Sequence, residues 1–356
     1  MTLYSGERAA KRAPFDREDL MKAYRKTGFA LTAALLAFAL LLRPSIAPAQ
    51  LTKLKVGYPT TVGSMGVLWV AKDAGYFEKQ GLNVELIYIG GSSKVVQAML
   101  AKEIPIAEIA IPAVIQANMA GADLVMLAGP NHKPGQKLMV KPEIKSRTDL
   151  RGKKLGVTRF GTSDDFLLRY ILNQWGIQPD REVALVQMGG SQEILAGLSS
   201  GGIDGGVISS PLNLRALKLG FQMLVDLSAI GVDYQGAGVV TTRSYVREHP
   251  DIVRRYLKAY VEGLHRYKTD RDFSLKVLAK YSRIAEREML EETYQHYAVK
   301  VMPRVPYPTL NGIQLVLDEI GSRTPKARET SPASLIDVSY LKEIESSGYI
   351  KALYEK

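Results

Sequence analysis

Short apolar, β-branched runs alternate with stretches of helical period through the first two thirds of the chain. The pattern begins at 53–64, a short strand that runs into the glycine- and hydroxyl-rich loop Tyr58-Pro59-Thr60-Thr61-Val62-Gly63-Ser64. A helix is predicted from Met65 to about Ala74, with Gly75 as the glycine just past its end. Further strands are predicted over 84–88, 106–110 and 124–128, separated by helices near 94–101 and from Pro112-Ala113 to Met119. The connections are short, which argues for parallel βαβ units. A second block of the same kind follows. Its strands are read at 137–140, near Leu155-Gly156-Val157, at 183–188, after Gly202, and at 223–226, with helices opening at Phe160–Ser163, Gln192 and Pro211. A strand returns at 238–242, and after Pro250 the pattern becomes helical, near 251–268, 271–281, 286–298, 309–320 and 335–346. Tyr256, Tyr260 and Leu264 fall on one face of the first of these and read as core. An α/β block followed by helices, with Gly/Pro-rich crossings, predicts one domain inserted into another.

The N-terminus needs separate treatment. Lys22, Arg25 and Lys26 precede an apolar run of fourteen residues, 29–42, and Ala47-Pro48-Ala49 offers a small-x-small cleavage motif before Gln50. That combination is a secretory signal peptide, too short for the roughly 20 residues of a spanning helix. Residues 1–49 are therefore assigned to a leader, and a start at Met21 would give it ordinary length. The chain has no cysteine, which excludes disulfides, thiol catalysis and a lipidated cysteine anchor. Net charge is +11; the leader holds eight Lys/Arg and four Asp/Glu, leaving 39 and 32, a net +7. The basic residues are interspersed with acids, without the basic stripe and interleaved aromatics of a nucleic-acid surface. With 46% hydrophobic residues the chain can bury a large core without staples.

Four stretches in order carry a family resemblance: Val56-Gly57-Tyr58 with Gly75-Tyr76-Phe77-Glu78-Lys79-Gln80-Gly81-Leu82; Gly90-Gly91-Ser92-Ser93; Asp149-Leu150-Arg151-Gly152-Lys153-Lys154-Leu155-Gly156-Val157; and Gly238–Arg243 to His249-Pro250. The chain resembles the periplasmic solute-binding proteins of ABC importers, in the sulfonate/taurine/nitrate group that includes the thiamine-pyrimidine-precursor-like proteins. The resemblance implies an α/β, type II periplasmic-binding-protein fold: two α/β lobes joined by two crossing strands, with C-terminal helices on the first lobe. The implied lobes are 50–138 with 240–356, and an inserted 139–239. The crossings are expected near 138–141 and 239–242. The implied partners are a small-molecule ligand, an ABC permease and its ATPase. The protein would be a periplasmic monomer with no cofactor, no metal and no catalytic residues.

Candidate ligand contacts lie at strand ends, where open α/β sheets bind. Tyr58, Thr60, Thr61 and Ser64 follow the first strand, and Tyr58 suits stacking with a hydroxyl bond. Gly91, Ser92 and Ser93 offer N–H groups and hydroxyls at a helix start, fitting either an oxyanion or an ordinary cap. Pro112 stands at the next strand end, and Asn131 and His132 at the mouth of the cleft. In the second block, Arg159 could clamp an anionic head group, and Gly161, Thr162 and Ser163 open the next helix. Thr162 with Asp165 also fits a capping box, while Asp164 and Asp165 put negative charge where an anion would sit. Gly190, Ser191, Ser209 and Ser210 are the remaining strand-end positions. The solute expected is small: a sulfonate, carboxylate or heteroaromatic. Two alternatives are an enzyme of the same fold and a sensory ligand-binding module. The cysteine-rich motif of pyrimidine synthases is missing from the sequence.

Overall fold

The computed structural model describes residues 50–355 apart from Arg323, together with Glu18, Met21, Lys22 and Arg25. The apolar run at 29–42 and the cleavage motif at 47–49 lie outside the described residues. Among the described residues no helix is long and apolar enough to cross a membrane. The chain from Leu51 onward forms one compact unit.

Two five-stranded sheets organise it. The first contains β1 (Thr52–Tyr58), β2 (Leu82–Tyr88), β3 (Ile106–Ala110), β4 (Leu124–Ala128) and β10 (Ala237–Thr242). Its order is β2-β1-β3-β10-β4. The second contains β5 (Gln136–Val140), β6 (Lys154–Val157), β7 (Ala184–Gln187), β8 (Gly205–Ser209) and β9 (Gln222–Asp226), in the order β7-β6-β8-β5-β9. The two orders are the same once chain direction is followed: second strand, first, third, an inserted strand, fourth. In each sheet the first strand is parallel to its neighbours, and the inserted strand is antiparallel to both of its own. β3, β4 and β8 are buried at every position, as apolar runs in covered sheets require.

The antiparallel strands explain where the chain changes sheets. Of the crossings expected at 138–141 and 239–242, residues 138–140 belong to β5 and 239–242 to β10, and the passages run ahead of these strands, through 129–135 and 227–236. Each passage leaves a sheet at the carboxyl end of a strand. The next strand must then start at that side and run away from it, antiparallel to its new neighbours. The passages are tied to each other, since the Tyr234 and Gly236 N–H groups donate to the His132 and Asn131 carbonyls at 3.2 and 2.8 Å. The carboxyl-end loops of both sheets therefore border a shared cleft.

Helices cover the sheets. The loop after β1 makes a 3₁₀ turn, Gly63–Met65, into α1 (Gly66–Asp73), followed by α2 (Tyr76–Lys79), α3 (Ser92–Leu100) and α4 (Ile111–Met119). The second block supplies α5 (Ser163–Gln174), α6 (Ser191–Ser199) and α7 (Leu212–Lys218). After β10 come α8 (Arg243–Glu248), α9 (Pro250–Thr269), α10 (Arg271–Ser282), α11 (Arg287–Tyr294) and α12 (Leu310–Gly321). Tyr256, Tyr260 and Leu264 on α9 are fully buried, as their spacing predicts. The helix expected over 286–298 is different: α11 ends at Tyr294 and continues as a π-helical stretch, Gln295–Val301. The wider turn shifts the side-chain register over that stretch.

Candidate functional site

The cleft encloses a cavity of ≈ 70 Å³. One ordered water occupies about 10–15 Å³ by the same measure, so the space suits a solute of a few non-hydrogen groups. The first sheet's loops contribute Pro59, Thr60, Val62, Ser64, Met65, Gly91, Ser92 and Ala110. The second block contributes Gln136, Thr158, Thr162, Ser163, Asp164, Ser191 and Ser209. The passages add Asn131, Lys133, Gly135, Tyr234 and Gly236, and the C-terminal π-helical stretch adds Tyr297. Three helices, α3, α5 and α6, begin at lining serines, Ser92, Ser163 and Ser191. Their first-turn N–H groups have no intrahelical acceptors.

Cross-cleft hydrogen bonds hold the two sides together. The Gly63 N–H donates to the Ser210 carbonyl at 3.1 Å, and the Thr60 and Ser191 hydroxyls are 3.2 Å apart. Arg159 Nε donates to the Gly90 carbonyl at 3.1 Å. A Cβ on Gly91, whose φ is +86°, would lie 2.9 Å from the Arg159 side chain, so the arginine is seated directly on this loop. Tyr297 is equally close to the passage: a Cβ on Gly135 would lie 2.3 Å from its hydroxyl. Burial raises the Tyr297 hydroxyl pKa, with a Ser209 hydrogen bond opposing, so the phenol is neutral and free to donate.

Of the residues expected at the site, Thr60, Ser64, Gly91, Ser92, Asn131, Thr162, Ser163, Ser191 and Ser209 line the cavity. The others do not. Tyr58 is buried edge-on against Trp69, with ring centroids 6.1 Å apart. His132 Nε2 is 2.6 Å from the Tyr307 carbonyl, a tie to the C-terminal region. Ser210 Oγ donates to Asn213 Oδ1 at 2.9 Å. Pro112 is buried in the first turn of α4, and Gly161 lines a separate groove with Gln116 and Arg169. Thr61, Ser93 and Gly190 are outside the lining set. The capping box expected for Thr162 and Asp165 does not form: Thr162 makes no side-chain cap, and Asp165 accepts from the Gly161 N–H and from Arg169 instead.

Arg159 therefore acts as a strap across the cleft rather than as a lining cation. Arg159→Ala is expected to release any solute, anionic or not, about fivefold faster, since a hydrogen bond of about 1 kcal/mol is lost. Stopped-flow release rates check this; an effect confined to anions would restore the clamp role.

Asp164 and Lys133 are the charged residues that line the cavity, and Lys133 is exposed. Part of Asp164 reaches solvent, but its carboxyl group is packed among protein atoms. Burial pushes its pKa up to about 6; hydrogen bonds from Thr158 and Gln136 pull it down and the neighbouring Asp165 charge pushes it up. Tyr234, Gln136, Asp164 and Tyr297 are lining residues that the loop pattern did not single out as contacts. Tyr297 is distant in sequence and carries no local signal. Gln136 and Tyr234 lie in or beside the passages, whose Gly/Pro content marked them only as crossings.

Residues 64–270 match the model of the family described as NMT1/THI5 like, and the chain belongs to that family. A putative binding protein of Brucella abortus (strain 2308) is 26% identical over 262 residues, 72% of this chain and 80% of that protein. The taurine-binding periplasmic protein of Escherichia coli (strain K12) is 25% identical over 242 residues, 67% and 73% of the two chains. Among solved structures, the ligand-binding component of an ABC-type import system from Staphylococcus aureus superposes with a TM-score of 0.69 at 16% identity, covering 82% of this chain and 98% of that one. The fold is that of the periplasmic binding proteins.

Proposed function

We propose that this chain is an exported solute-binding protein: it captures a compact organic solute in the cleft between its sheets and delivers it to the permease of an ABC importer. The observation that carries the reading is the cavity itself, walled by carboxyl-end loops of both sheets and bridged by hydrogen bonds across the cleft. Closing on a ligand draws its energy from contacts made in the closed state alone. The bridges from Thr60, Gly63 and Arg159 are contacts of that kind. The two lobes divide within 129–135 and 227–236, and the paired passages are the hinge. The names of the relatives support binding and import rather than catalysis. The solute class is a sulfonate, carboxylate or heteroaromatic, the protein acts as a monomer, and its site of action is the periplasm.

A thermal-shift panel of sulfonates, nitrate, carboxylates, pyrimidines and flavins tests this. A bound compound at 100 times its Kd adds about 2.7 kcal/mol of stability. At least one compact member is expected to raise Tm; no shift across the panel contradicts the reading.

A further inference from the structure

We propose that the cavity selects a solute that presents a cationic hydrogen-bond donor, an ammonium or protonated amine, to Asp164 and Asn131. The inference rests on the cleft being the solute site, and it narrows the class of solute.

Two acceptors in the lining are incompletely matched by the protein: one has no hydrogen-bond partner and the other has no counter-ion. Asn131 is 3% exposed, and its amide Nδ2 donates to the Ala237 carbonyl at 3.0 Å. Reversing the amide would set two oxygens against each other, so the orientation is fixed and Oδ1 is the free end. That oxygen is buried with no hydrogen-bond partner among the described residues. An orphaned buried acceptor costs about 1–3 kcal/mol, which a donor on a ligand recovers. Asp164 presents the second acceptor. Its donors are neutral, the Thr158 hydroxyl and N–H and Gln136 Nε2, the last at a long 3.5 Å, and among the described residues no cation pairs with it. The adjacent Asp165, buried outside the cavity, has Arg169 at 2.7 Å. A buried carboxylate is costly without a counter-ion, and within the cavity a cationic ligand group supplies one. An anionic group would meet this carboxylate while Arg159 is occupied with the Gly90 carbonyl. The N-terminal turns of α3 and α6, which also line the cavity, offer N–H groups to the polar remainder of the same solute.

The charge state of Asp164 gives the inference a pH signature. The titratable and charged groups around it are Asp165 with Arg169 on the same helix, Tyr234 on the second passage, Tyr297 on the π-helical stretch and exposed Lys133. With Asp164 titrating at about 6, ammonium binding strengthens about tenfold from pH 5 to pH 7. Binding of an anion would weaken over the same range.

Calorimetry on the purified protein with matched pairs tests this: taurine with ethanesulfonate, β-alanine with propanoate, and 5-(aminomethyl)pyrimidine with 5-methylpyrimidine. The expected result is that an amine-bearing member binds at least tenfold tighter than its partner, gains affinity toward pH 7, and loses the advantage in Asp164→Asn. Asn131→Ser gives an independent reading if the aspartate variant does not fold. An amine-free member binding as tightly as its partner, or an advantage that survives both substitutions, overturns the inference and leaves the cleft site standing. No binding by any amine-bearing member, with an amine-free compound of the thermal-shift panel bound, likewise overturns the inference alone.

Discussion

Glu108→Gln is expected to make the protein more stable at pH 8 and to flatten its stability against pH. Glu108 sits on β3, fully buried. The Tyr260 hydroxyl donates to its Oε1 at 2.9 Å, while Oε2 and the neighbouring Tyr256 hydroxyl have no partner. Burial pushes the carboxyl up to about 8 from 4.5, with the Tyr260 bond opposing. The native state thus keeps this proton through a range in which the unfolded chain has released it. The stability it contributes is complete below about pH 4.5 and is lost progressively as pH rises to about 8. The span is on the order of 4 kcal/mol. Glutamine keeps the Tyr260 acceptor, offers its amide to the Tyr256 hydroxyl and does not titrate. Denaturant melts at pH 5, 6.5 and 8 should diverge, with the variant ahead at pH 8 by several kcal/mol. Parallel curves for the two proteins would mean that Glu108 is solvated or ionised in the fold.

The second large effect concerns Arg169. It donates from Nε to Asp165 Oδ1 at 2.7 Å and from Nη1 to Asp180 Oδ2 at 2.5 Å. Arg169 and Asp165 are both more than nine-tenths buried. Removing one partner of a buried pair typically costs 3–5 kcal/mol, because the other charge stays behind. Arg169→Ala should therefore lose about that much. It should also weaken solute binding, since Asp165 Oδ2 holds the Gly161 N–H and so the loop that leads into Thr162 and Ser163. The double variant Asp165→Asn/Arg169→Met removes the stranded charge and should recover most of the stability. A single variant within 1 kcal/mol of the parent, or a double variant no better than the single, would show that the pair is not what anchors this loop.

The same pair shows how far the sequence could be read. Alternating strand and helix periods located both blocks because each sheet repeats one unit, a strand followed by a small-residue loop and a helix start. The serines and threonines at those starts, Thr60, Ser92, Thr162, Ser163, Ser191 and Ser209, reach the cavity since helix N-termini converge there. Asp165 was legible as a helix-start residue but not as the partner of Arg169, since both a capping box and an i,i+4 ion pair fit its spacing. Arg159 looked like an anion clamp by its position after a strand, yet its length lets it cross to Gly90, which a one-dimensional reading cannot foresee. Tyr297 falls within the helix that the periodicity predicts near 286–298. The π-helical widening after Tyr294 lies just where this tyrosine reaches Gly135 and the cavity.

The most direct measurement is the thermal shift produced by a binding compound on the parent protein and on Thr60→Trp. Thr60 lines the cavity and meets Ser191 across the cleft, so an indole there fills the space and blocks closure. The variant should melt like the parent without solute and show no shift with it, while the parent gains about 2.7 kcal/mol at 100 times Kd. An equal shift in both proteins would put the solute somewhere other than the cleft between the sheets.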